Sequence, residues 1–75
     1  MEKEITKDNI LQELGKHYDD HEDTVKFFEY VKSLKLKKSV KMSQQYRVFL
    51  DLVEDTLYDM QDEGKDVQKW LDMVD

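Results

Sequence analysis

Residues 43–64 read SQQYRVFLDLVEDTLYDMQDEG, and their pattern decides the fold. Tyr46, Phe49, Leu50, Val53, Leu57 and Met60 recur at three- and four-residue steps, which on a helix places them within an arc of roughly 100°. The Ser43 hydroxyl stands where it can accept an orphan amide proton of the first turn. Gly64 stands where a left-handed residue ends a helix. The segment therefore predicts one helix from about Gln44 to Glu63, apolar on one side and polar on the other.

The same period appears upstream. A helix is expected from about Asp20 to Leu36, with Phe27, Val31 and Leu34 as its stripe and Phe28 and Tyr30 beside it. Its opening crowds Asp19, Asp20, Glu22 and Asp23 onto the end where the helix dipole favours anions, and Asp19 with Glu22 has the spacing of a capping box. Before it, residues 7–18 place Ile10, Leu11, Leu14 and Tyr18 on one face. Thr6 is the expected N-cap there, and Ile5 with Ile10 occupies the two positions of a hydrophobic staple. Gly15 is the weak point of that helix, at about 1 kcal/mol relative to alanine in a helix interior. Residues 35–42, KLKKSVKM, break the period and read as a connector. Beyond Gly64, Asp66 is expected to cap a short helix with Val67, Trp70, Leu71 and Val74 on one face.

Four apolar stripes in a chain of 75 residues must bury against one another. The expectation is an all-α fold: a small antiparallel bundle of three main helices plus a short C-terminal fourth helix, one domain over residues 1–75. Its core is expected to be Phe27, Phe28, Val31, Tyr46, Phe49, Val53, Leu57 and Trp70. The absence of proline and the presence of only two glycines agree with helices rather than strands and turns. Charged residues at 40% raise the question of disorder, which the aromatics and the regular apolar period answer in favour of order. No cysteine is present, so disulfides and thiolate metal sites are excluded. No run approaches the roughly 20 apolar residues of a membrane span. Residues 1–4 lack the basic and apolar regions of a secretory signal, so a cytoplasmic protein is expected, and Met1 at the start is what a whole protein would show.

Templates for catalysis find no footing. Ser33, Ser39 and Ser43 lie in basic or capping contexts without a glycine elbow. Gly15 and Gly64 are isolated, so no glycine-rich phosphate loop exists. Carboxylates abound, but a bundle this small rarely encloses the dry cavity that tunes one for acid–base work. His17 and His21 have the four-residue spacing that can share a metal on one helix, yet a helix boundary is expected between them. The stretch from Tyr18 to Val31 bears a faint resemblance to the second half of an EF-hand, with Asp20, Glu22 and Glu29 at ligand positions. Tyr18 stands where the first ligand aspartate belongs and Asp23 where the sharp turn needs glycine, so the acids read better as a helix cap. A non-enzyme without metal, cofactor or small-molecule substrate is expected.

What remains is surface. Val48 and Leu52 lie one turn apart off the main stripe, beside Asp55 and Asp59. They are either scattered surface apolar groups or the anchors of a helix-face interface with a polar rim, which Val40, Met42 and Met73 would extend. Charge is segregated: residues 1–31 carry a net −5, residues 32–50 a net +6 with no acid at all, and residues 51–75 a net −7. The basic block either folds beside acids that offset it or offers Lys35, Lys37, Lys38, Lys41 and Arg47 to nucleic-acid phosphates. A formal net charge of −6 argues against non-specific binding to a polyanion. Asp51, Glu54, Asp55, Asp59, Asp62 and Glu63 form either a solvated helix face or a dock for a basic partner. The functional expectation is a small protein–protein interaction module, a regulator or inhibitor that binds another macromolecule and self-associates as a homodimer. A nucleic-acid-binding or nucleoprotein accessory protein is the alternative.

Overall fold

The computed structural model describes residues 4–74. These residues contain five helices and no strand: α1 (Ile10–Gly15), α2 (His21–Ser33), α3 (Lys38–Lys41), α4 (Gln44–Asp62) and α5 (Gln68–Val74). The all-α bundle read from the stripes is the architecture found, with one extra helical turn, α3, inside the stretch expected to be a connector.

The longest helix, α4, is the hub, and α1, α2, α3 and α5 each pack against it. Its ends are where the side chains placed them. Ser43 Oγ accepts the Tyr46 amide at 3.2 Å. At the other end Gly64 takes φ +91°. The Lys65 amide donates to the Met60 carbonyl at 3.1 Å and the Gly64 amide to that of Gln61 at 2.9 Å, the paired bonds of a Schellman motif. Tyr46, Phe49, Val53, Thr56, Leu57 and Met60 form its buried side.

α2 runs antiparallel to α4. His21 at its start lies 3.2 Å from Glu63 at the end of α4, and the rings of Phe27 and Phe28 lie 5.9 and 6.2 Å from that of Phe49. Phe28, Phe49, Val31 and Val53 are fully buried. Removing each such side chain from water contributes roughly 1.5–3 kcal/mol, so the contact of these two helices is the centre of the fold. The cap of α2 is Asp20, whose Oδ1 accepts the Glu22 amide at 3.0 Å, rather than Asp19. The helix also stops at Ser33, short of Leu36, because Leu34 turns extended at ψ 149°. The alternation Leu34-Lys35-Leu36-Lys37 then lets both leucines pack on the core while the lysines face out.

α1 is shorter than expected, six residues, flanked by turns on both sides. The N-cap is Asn9 rather than Thr6, and its side chain caps no first-turn amide; Asn9 Oδ1 instead accepts the Thr6 amide at 2.7 Å, which fixes the turn before the helix. Ile5 and Ile10 are both buried in the core, but with Asn9 as the N-cap they do not occupy the two staple positions. Thr24, fully buried, ties the α1–α2 turn to α2, with its Oγ1 2.9 Å from the carbonyl oxygens of His17 and Asp20. At the C-terminus Asp66 Oδ1 accepts the Gln68 amide at 3.3 Å. Val67 is buried just before α5, whereas Trp70 is only half-buried and packs at the edge of the core rather than in it.

Candidate functional site

α4 buries one side against the other helices and leaves the opposite side exposed. Val48 is 37% exposed there. Asp55 and Asp59 are exposed along the same side, while Leu52 is half-buried and packed against the core. One apolar group with an acidic rim is therefore free, with Leu52 forming its floor. The proposed extension of this patch contracts. Val40 is the buried residue of α3 and Met73 packs on the core, which leaves Met42, at 74% exposure, as the only one of the three open to contact.

The charge blocks fold into poles. Lys35 and Lys37 line one groove with Tyr30, Leu34, Leu36 and Glu4, and Lys41 and Arg47 line another with Met42, Asp51 and Glu54. Lys38 sits on α3 between them, and all five basic side chains are exposed. Among the described residues none of the five forms an ion pair. The expected compensation by acids comes from Glu4 bordering Lys35 and Lys37 and from Asp51 and Glu54 bordering Lys41 and Arg47, none of them in an ion pair with these bases. The N-terminus of α4 opens at this same end, adding the positive end of its dipole.

The opposite end is acidic. Asp19, Asp20, Glu22 and Glu63 share a groove with His21 and Lys65, and Asp62 and Asp66 are exposed nearby in sequence. Lys65 Nζ stands between Glu22 at 3.9 Å and Glu63 at 4.0 Å. These are solvent-exposed pairs, worth at most about 1 kcal/mol each.

The two histidines go separate ways, because the helix boundary does fall between them. His17 Nδ1 lies 2.9 Å from Asp23 Oδ2, with its ring stacked on Phe27 at 5.0 Å, while His21 reaches Glu63 on another helix. Among the described residues no three metal-ligating side chains converge. Asp20 and Glu22, two of the three acids at EF-hand ligand positions, belong to the cap and first turn of α2.

One feature had no clear mark in the sequence. Val25 and Met60 floor a shallow groove that Trp70 closes on one side, rimmed by Glu22, Lys26, Glu29, Lys65 and Asp66. The Trp70 Nε1 proton is buried without an acceptor among the described residues, and Lys69 Nζ covers the ring at 4.5 Å. Only the combination of a lone tryptophan with a helix too short to bury it could have signalled this. Of the titratable groups, Tyr46 has its phenol pushed above its ordinary value by burial.

Comparison with protein-family models, with curated proteins and with solved structures finds no match. No described helix is long and apolar enough to cross a membrane.

Proposed function

We propose that this chain is a small, non-enzymatic protein–protein interaction module, a regulator that acts by covering part of another macromolecule's surface. The observation that carries the reading is the outer side of α4, where exposed Val48 is rimmed by exposed Asp55 and Asp59 over a floor of half-buried Leu52. A partner that fits it offers an apolar side chain for Val48 and basic groups for the two aspartates. A second copy of the chain meets both needs. Set antiparallel and centred between Val48 and Leu52, it brings its own Val48 to the contact and its basic 41–47 end alongside Asp55 and Asp59.

Sedimentation velocity from about 10 to 500 μM tests this, since contacts of this kind have dissociation constants in the μM range or weaker. The wild type is expected to show a reversible dimer that Val48→Asp abolishes with helicity unchanged. Leu52 is left alone because it packs on the core, so charging it would disturb the fold. A wild-type monomer across the whole range refutes self-association, and a dimer indifferent to Val48→Asp places the contact off this face.

A further inference from the structure

The basic pole resolves a conflict between net charge and local charge. A formal charge of −6 should repel a polyanion. The repulsion acts only if the acidic groups are felt where the polyanion would sit. Arg47 to Asp62 spans about 22 Å along α4 at 1.5 Å per residue, and the lysines of residues 35–41 precede α4 at the same end. The Debye length is about 8 Å at physiological salt, so the distant acidic groups are screened over more than two such lengths. Among the described residues the acids left within reach are Glu4 beside Lys35 and Lys37, Asp51 and Glu54 beside Lys41 and Arg47, and Asp72, two residues before Val74, which lines that second groove. At the pole itself the bases, with Lys32 at the end of α2, outnumber them, and none of Lys35, Lys37, Lys38, Lys41 and Arg47 is neutralised by an ion pair among the described residues.

We propose that this pole docks the phosphate backbone of duplex nucleic acid, end-on and without sequence preference, through Lys35, Lys37, Lys38 and Lys41. A duplex is favoured over a single strand because single strands are held by stacking bases on exposed aromatic rings. The exposed aromatics here, Tyr18 and Tyr58, lie before α2 and in the C-terminal half of α4, away from the pole. Tyr30, beside Lys35 and Lys37, is half-buried against Phe27. This contact shares Lys41 with the proposed dimer contact, whereas Lys35, Lys37 and Lys38 lie outside the 41–47 segment that the dimer uses.

Fluorescence anisotropy with a labelled 20-base-pair duplex and about 1 μM chain tests it. Four phosphate contacts give a slope of log K against log salt of roughly −3.6, an affinity loss on the order of 100-fold between about 50 and 200 mM. Lys37→Gln with Lys38→Gln reduces the slope by about 2, whereas Val48→Asp leaves it unchanged, so failure of either site is seen separately. Screening makes a second demand. At about 10 mM salt the Debye length reaches about 30 Å, so the acidic end is felt and the plot bends towards weaker binding. Asp19→Asn with Asp62→Asn reduces the bend and changes nothing at about 150 mM. Absence of binding at low salt, a slope indifferent to Lys37 and Lys38, tighter binding to a single strand, or tighter binding to anionic vesicles than to the duplex overturns the proposal.

Discussion

Replacing each of the two glycines by alanine is expected to move stability in opposite directions. Gly64 holds φ +91°, and an added Cβ would meet nothing within 4 Å. Any cost is therefore backbone strain alone. Left-handed backbone costs an L-residue roughly 1–2 kcal/mol, while alanine returns a few tenths to about 1 kcal/mol by restricting the unfolded chain. Gly64→Ala should lose about 1 kcal/mol net, either as strain or by breaking the bonds from the Gly64 and Lys65 amides to Gln61 and Met60. Gly15 also has open space around its missing Cβ but closes α1 without a positive φ. There the same substitution adds helix propensity and reduces unfolded entropy, so Gly15→Ala should gain roughly 0.4–1 kcal/mol. For a domain of this size 1 kcal/mol is about 4–8 °C in Tm. Far-UV circular dichroism on heating, with urea midpoints at constant m, reads both variants. Equal signs, or a Gly64→Ala variant as stable as wild type, would refute the reasoning.

Three further outcomes follow from the packing, each measured by chemical denaturation or titration. Phe49→Ala removes a fully buried ring that contacts Phe27, Phe28 and Tyr46. It should lose about 3–5 kcal/mol, a large part of the roughly 4–11 kcal/mol typical of 75 residues, and leave a substantially unfolded chain at mild urea. Ser43→Ala strips the acceptor from the Tyr46 amide and should lose about 1 kcal/mol; an unmoved urea midpoint would contradict the cap's contribution. The Tyr46 phenol is raised above 10.0 by burial, so the folded state holds its proton more tightly than the unfolded chain. That contribution is full below pH 10 and is lost as pH rises through the folded value. Wild type should therefore lose stability faster than Tyr46→Phe above pH 10, and their ultraviolet difference titration should have its midpoint above 10. A midpoint at or below 10 would remove the burial argument.

How much of this was legible depended on whether a signal was periodic. α4 could be read almost to the residue because stripe, serine cap and terminal glycine agree with one another. α2 was extended too far because Leu34 fits a helical step from Val31. The two-residue alternation of Leu34 and Leu36 with Lys35 and Lys37 was the competing signal, and tertiary burial of both leucines decided for it. α3 is four residues long, below the length at which any period shows, so the burial of Val40 was invisible. The sequence shows the helix face that Val48 and Leu52 share but not their depth, since the two look alike in sequence and differ only because α4 carries other helices along one edge. The acidic and basic blocks were plain in the chain. Their separation to opposite ends needed the antiparallel pairing of α2 and α4.

Everything on the surface follows from α2 and α4 meeting face to face within one copy of the chain. Nuclear Overhauser contacts between the ring protons of Phe27 or Phe28 and those of Phe49 read this directly, in a dilute sample and in an equal mixture of isotope-labelled and unlabelled chains. The structure predicts ring contacts, at centroid distances of 5.9 and 6.2 Å, that persist at full intensity on dilution and stay within labelled chains. Contacts that vanish with dilution, or that appear only between labelled and unlabelled copies, would contradict it.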